Sequence, residues 1–229
     1  MGKNSTAGPR MKRWLVTTAA VLTIVPGSGA NDLTKRLSIR FAPGGVMALG
    51  GSYSDTEKLN KVVNPGASLG LGLRYQMNDN FVLELGCDFC WLSVKGDNQP
   101  FAYKEKNPAL NLQMLTVNGI FFLMSGYRLE PYLTLGAGLY PWEFSQVPIW
   151  GSPWPAPAKP EKSFSDLSPA FNIGLGVDAS LSSKLAVFAE LKYHYIFSRN
   201  PGKFGTDDFT QQDFLGLNIG LTYRFGGRS

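Results

Sequence analysis

The chain has 229 residues, with 26 glycines and 13% aromatic residues, a size and composition that suit one all-β domain better than a helical bundle. Its formal charge of +5 would fit an acidic partner such as nucleic acid, but the placement of the charge excludes that reading. Residues 1–30 carry Lys3, Arg10, Lys12 and Arg13 and no acid, and from position 31 onward 18 basic residues face 17 acidic ones, so the basic balance belongs to the leader.

That leader has the three parts of a secretory signal. Lys12 and Arg13 form a positive start, Trp14 to Val25 is an apolar core, and Pro26-Gly27 breaks it before the small residues Ser28-Gly29-Ala30. An apolar core this short cannot span a bilayer as a helix, which takes roughly 20 residues. The expectation is a signal peptide over 1–30, with Met11 a second candidate start, and a single barrel domain over 31–229. Met1-Gly2 with Thr6 fits a myristoylation pattern, which the export signal behind it makes a coincidence. No cysteine follows Ala30 to carry a lipid anchor.

From residue 37 the hydrophobic period is two rather than 3.6. The first segment, around Leu37, Ile39 and Phe41, is expected to be interrupted at Pro43-Gly44-Gly45, since proline and glycine weaken a strand interior. In 67–75 the odd positions are apolar (Ala67, Leu69, Leu71, Leu73, Tyr75) and the even ones small or charged. The same alternation runs through 81–89, 171–181, 185–197 and 215–225, and less cleanly through 112–123 and 127–141. Eight segments of roughly the 9–11 residues that a tilted membrane strand needs predict an eight-stranded antiparallel up-and-down transmembrane β-barrel. The connections alternate as well. Tight turns at 78–80, 124–126 and 182–184 separate long polar or proline-rich stretches at about 53–66, 96–110, 145–165 and 198–212, the rhythm of short periplasmic turns and long external loops.

The charges decide which kind of barrel this is. A soluble barrel with an apolar pocket would keep mixed polar residues outside. Here one face of the strands is almost uniformly apolar, and the other carries Arg40, Arg74, Glu84, Asp88, Arg128, Glu130, Asp178, Glu190, Lys192 and Arg224. A cation turned toward lipid at midplane costs roughly 2–4 kcal/mol, so all ten are expected in the lumen, where five of each sign can pair. Small residues such as Gly70, Gly72, Gly174 and Gly176 share that face, which predicts a narrow interior filled by side chains. Tyr75, Phe81, Tyr127, Tyr223 and Phe225 fall near the short turns, and Trp91, Tyr193, Tyr195 and Phe197 near the long connections, as two interfacial girdles would require.

The last segment, Asn218-Ile219-Gly220-Leu221-Thr222-Tyr223-Arg224-Phe225, resembles the sorting signal of outer-membrane proteins, with Asn218, Gly220, Tyr223 and Phe225 at its defining positions. Together with Pro131-Tyr132-Leu133-Thr134-Leu135-Gly136-Ala137-Gly138-Leu139-Tyr140, it is similar to the OmpA-like or opacity-type outer membrane β-barrel family, over about 35–229. The resemblance departs at the C-terminus, where Gly226-Gly227-Arg228-Ser229 follows a signal that usually ends the chain. It implies outer-membrane lipid and the barrel-assembly machinery as partners, the latter through the last strand. Structural, adhesive and small-solute roles all occur in that family.

Candidate chemistry is sparse. Cys87 and Cys90 have redox spacing, but positions i and i+3 of a strand point to opposite faces, and redox pairs sit at helix N-termini. Gly174-Leu175-Gly176-Val177-Asp178-Ala179 has the glycines of a dinucleotide site but lies within a strand instead of a strand-to-helix turn. His194, the one histidine, shares a face with Ser198 at roughly 13 Å, too far for a nucleophile and its base, and is read as an interior hydrogen-bonded residue. Glu190 with Asp178 reads as ion-paired to Lys192 and Arg224 rather than as an acid/base pair. Trp150 and Trp154 stand in a proline-stiffened stretch and are candidate contacts with outer-leaflet lipid or a partner. No metal or cofactor is expected. The expected function is a non-enzymatic structural or surface-contact barrel, with a narrow channel for small or apolar solutes and a lipid-modifying enzyme using His194 as alternatives.

Overall fold

A computed structural model describes residues 36–52, 58–95, 109–145, 165–198 and 210–226. Eight strands form one closed antiparallel barrel, each paired with its sequence neighbours and the last with the first. They are β1 (Leu37–Gly50), β2 (Gly66–Gln76), β3 (Phe81–Ser93), β4 (Ala109–Phe122), β5 (Leu129–Ser145), β6 (Ser165–Ser180), β7 (Leu185–Ile196) and β8 (Gln212–Arg224). The strands run from 11 to 17 residues, longer than the hydrophobic pattern alone delimits. β5 and β6 run up to the two ends of the stretch read as the 145–165 connection, with Glu143 and Ser165 their last pair.

Period two is kept in every strand, and the even-numbered side chains point inward throughout. The odd positions form the outer wall. Leu71, Leu85, Val117, Leu135, Ile173, Leu175, Leu217 and Ile219 all stand exposed there, an arrangement that water would penalise and hydrocarbon would not.

β1 is continuous through Pro43-Gly44-Gly45, against the interruption expected from its sequence. Its register with β2 is unbroken from Leu37↔Tyr75 to Val46↔Gly66. Toward β8 the pairing skips Ala42 and Pro43, so the missing proline N–H is absorbed on one side only. Gly44 is required by a close approach, since a Cβ there would run into the Leu217 carbonyl and the Asn218 side chain. Pro141 behaves likewise in β5, in register with β6 while the pairing with β4 skips from Leu112↔Trp142 to Leu115↔Leu139.

The three short turns carry their own caps. Asn78 Oδ1 accepts from the backbone N–H of Asn80 (3.0 Å) and Phe81 (2.9 Å), the local bond that favours asparagine in turns. Ser182 Oγ accepts from the N–H of Leu185 at 3.1 Å, and Gly126 takes a φ of +85° in the turn before β5.

One element was not legible in the sequence. A four-residue helix, α1 (Leu59–Val62), lies in the connection between β1 and β2 and buries Leu59, Val62 and the following Val63. The Leu59 N–H donates to Gly51 O (3.0 Å), Asn60 Nδ2 to Leu49 O (2.6 Å) and the Lys95 N–H to Val62 O (2.8 Å), which fastens α1 across the mouth of the barrel at the long-connection end.

The outer wall gives the first prediction. Leu135 is 58% exposed near the middle of β5, so Leu135→Arg should cost about 2–4 kcal/mol in urea titrations of the protein folded into phospholipid vesicles. Leu135→Val should stay within about 1 kcal/mol of the parent, and equal losses would contradict a lipid-facing wall.

Candidate functional site

Six lumen charges form one chain of alternating sign. Asp178 Oδ2 lies 3.4 Å from Arg74 Nη1, and Arg74 Nε donates to Glu84 Oε2 at 2.7 Å. The same Glu84 oxygen lies 3.3 Å from Arg40 Nη1, Arg40 Nη2 pairs with Glu190, and Glu190 Oε2 is 3.3 Å from Lys192 Nζ. The members come from β6, β2, β3, β1 and β7, so the chain crosses the lumen from wall to wall. Three positive and three negative groups cancel, which buried ions require.

Uncharged polar side chains meet part of what the ion pairs leave over, while Arg40 Nε, Arg74 Nη2 and Asp178 Oδ1 have no hydrogen bond among the described residues. Asn118 Nδ2 donates to Glu84 Oε1 (3.1 Å), and Asn172 Nδ2 donates in turn to Asn118 Oδ1 (3.0 Å). Thr134 donates to the second oxygen of Glu190 at 3.1 Å. The Arg40 guanidinium lies 4.0 Å from the centre of the Phe188 ring, close enough for a desolvated cation–π contact. These partners carry no charge and went unremarked in the sequence. The available signal was parity, because every one of them occupies an even, inward position.

The remaining predicted lumen charges lie outside the five ion pairs just described. Asp88 faces inward, half-buried, and forms no ion pair within 4.0 Å among the described residues. Glu130 is buried at the short-turn mouth, where it accepts from the Gly126 N–H at 2.8 Å. Arg224 sits at the same mouth and donates to Ser180 Oγ at 3.3 Å. Arg128 is not a lumen residue. It lies in the turn before β5 and is exposed, because alternation loses its meaning once the chain leaves the ladder.

Toward the long-connection end the lumen becomes apolar. Val46, Leu92, Leu110, Leu112, Met114, Trp142, Phe144, Ile196 and Phe214 pack with Leu59, Val62 and Val63 of the α1 segment into one buried cluster. His194 lies beneath it, its Nδ1 2.6 Å from the Tyr140 hydroxyl, and is buried in the lumen as read from sequence. Ser198 is buried on the same face, with no hydrogen bond to its Oγ among the described residues. The narrow interior is filled by side chains, with an apolar layer that the sequence reading did not anticipate stacked on the polar one.

Both cysteines are free, Cys87 half-buried on the outer wall and Cys90 buried in the apolar cluster, on opposite faces as their spacing implies. Gly174 and Gly176 lie within β6, as read. No group of three metal-ligating side chains occurs among the described residues. In β8, Asn218 points inward and accepts from Ser68 (3.1 Å), while Tyr223 and Phe225 stand exposed on the outer wall with ring centroids 5.5 Å apart. Gly220 is needed where a Cβ would meet the Phe41 carbonyl and the Phe188 ring. Trp150 and Trp154 lie outside the described residues.

Glu84 holds both arginines and is 2% exposed, so it is the hub of the chain. Glu84→Ala should cost about 3–5 kcal/mol, the usual penalty for stranding buried charge. Lys192→Met, at one end, leaves Glu190 still paired with Arg40 and should cost clearly less. Urea unfolding from vesicles reads both, and a Lys192 effect equal to that of Glu84 would contradict the hub.

A family model described as "outer membrane protein beta-barrel domain" matches residues 18–225. Among solved structures, Neisserial surface protein A (NspA) superposes with a TM-score of 0.55 at 15% identity, over 82% of this chain and 96% of that one. The outer membrane protein OprG from Pseudomonas aeruginosa gives 0.52 at 19% identity, over 82% and 95%. At such identities the likeness is one of fold. A search of curated proteins returns no significant match. The family match over nearly the whole chain agrees with the closed eight-stranded barrel and its apolar outer wall: the chain belongs to the outer membrane protein beta-barrel domain family and resides in the outer membrane.

Proposed function

We propose that the protein is a closed, non-enzymatic barrel that serves the outer membrane structurally or through surface contacts at its long-connection end. The observation that carries this reading is the continuous ion-pair chain from Asp178 to Lys192, overlain by the apolar cluster and α1. Ions crossing such a lumen would have to break paired charges and then traverse an apolar layer, and each step is costly. His194 supports the non-enzymatic side of the reading, since it is buried in the lumen against Tyr140 rather than presented to a lipid substrate. In this reading residues 1–30 direct export and are removed. Asn218, Gly220, Tyr223 and Phe225 of the last strand are what the barrel-assembly machinery engages. Trp150 and Trp154, in the stretch after β5, are the candidate external contacts.

Single-protein recordings in planar lipid bilayers test the closed lumen. The expected result is a baseline without discrete opening steps, and resolved unitary steps would replace this reading with the narrow-channel one. For catalysis, the acyl profile of lipid A should be identical with and without expression of the protein, and a new acyl species that disappears in His194→Ala would establish an enzyme.

A further inference from the structure

At the short-turn end, two neighbouring connections bring cations to the rim. Arg128 lies in the turn before β5 and Lys184 in the turn before β7, and both are exposed. Backbone bonds set them on one arc. The Ser180 N–H at the end of β6 donates to Arg128 O (2.9 Å), and the Arg224 N–H at the end of β8 donates to Lys184 O (2.8 Å). Two strand spacings of about 4.8 Å each separate the two residues, so an arginine and a lysine side chain can close on one anion. In the β6–β7 turn Ser182 Oγ accepts from the N–H of Lys184 (3.3 Å) and of Leu185 (3.1 Å), which leaves its own proton to donate. Glu130 is buried and accepts from the Gly126 N–H at 2.8 Å, and the exposed Asp79 belongs to the β2–β3 turn across the mouth. Both cationic turns are described throughout. Residues 31–35 and 227–229, which adjoin β1 and β8 at this end, hold Lys35 and Arg228 against Asp32 and add no negative balance.

The height of these cations follows from their neighbours. Leu129 and Leu181, 59% and 57% exposed, end the apolar wall on β5 and β6. Tyr127, also exposed, is a residue type favoured at headgroup level. A cation just beyond a lipid-facing leucine has left the hydrocarbon, where it would be costly, and stands among the phosphates. Short connections face the periplasm, so the leaflet is the periplasmic one.

We infer that Arg128, Ser182 and Lys184 form a docking site for the phosphate of an anionic glycerophospholipid in the periplasmic leaflet. Two cations and a hydroxyl donor match a phosphodiester, whose free oxygens only accept. A zwitterionic headgroup is disfavoured because it brings its own ammonium against both cations. Leu129 and Leu181 select a lipid over a soluble anion, since the acyl chains of the same molecule lie against them. This inference rests on the membrane location and is independent of whether the lumen conducts.

The experiment uses the full barrel folded in detergent and mixed with equal amounts of phosphatidylglycerol and phosphatidylcholine of matched acyl chains, read by native mass spectrometry. One cation beside an anionic lipid surface favours binding about five-fold, so the parent should retain phosphatidylglycerol at least that strongly over phosphatidylcholine. The double variant Arg128→Gln, Lys184→Gln should retain the two lipids equally, and Lys184→Gln alone should fall between. The control Lys58→Gln, Lys61→Gln removes the same charge from the long-connection end, where both lysines are exposed, and should keep the parent's preference. Heat-modifiable gel mobility confirms that each variant is folded. Equal retention by the parent, or an undiminished preference in the Arg128 and Lys184 double variant, would overturn the site. An equal loss in the control would reduce the preference to net charge and overturn it as well. Retention of a soluble anionic glycopeptide that phosphatidylglycerol does not displace would assign the turns to a periplasmic polymer instead.

Discussion

Everything in this molecule follows from a medium that offers no hydrogen-bond partners to its outer wall. Lipid can accept Leu71, Val117 or Ile219 but leaves a guanidinium or carboxylate stranded. A barrel of eight strands has only two places for a charge, the lumen and the rims. Once Arg40, Arg74, Glu84, Asp178, Glu190 and Lys192 are committed to a narrow lumen, they must neutralise one another there. The alternating order of that chain is what neutrality looks like when the groups must also touch. Any other sequence of signs would place like charges in contact at low dielectric.

The ion chain in turn makes the upper half of the lumen possible. With the interior sealed at its waist, side chains above it meet neither water from below nor lipid from the side. Leu92, Leu112, Met114, Ile196 and Phe214 can then pack as a soluble domain packs its core, close to solid density and with one open end. α1 closes that end with Leu59 and Val62. A connection that had to remain in water would gain nothing from these two residues. The mouth supplies the burial that stabilises so short a helix, which has almost no stability of its own. Tyr140 and His194 lie where the two layers join, satisfying each other's polar atoms at a level where neither layer alone would.

The same stratification explains which parts of the fold were legible. Where the lumen is polar, as along Gly70, Gly72 and Arg74 of β2 or Glu84 and Gly86 of β3, alternation is sharp and the strands read directly from the sequence. In the upper half of β4 the pattern inverts. Leu110, Leu112 and Met114 point inward while Asn111 and Gln113 lie outward, and the apolar residues move to the outward positions at Leu115 and Val117, so period two loses its phase there and the upper apolar layer went unseen. Boundaries failed for a related reason. Arg128 has the parity of a lumen residue, but parity orients a side chain only while the ladder holds the backbone. Pro43 read as a break because sequence cannot say which neighbour loses the hydrogen bond. In the barrel, one strand pairing absorbs the loss and the other continues, as it does at Pro141. α1 carries no periodic signal at all, since four residues are too few to display one.

The arrangement also shifts where selection for function can act. In a wide barrel, substitutions that line the lumen tune what passes. Here the lumen residues are tied to one another, so that altering Glu84 disturbs Arg40, Arg74 and Asn118 together. Such positions constrain stability and leave little freedom for a changing role.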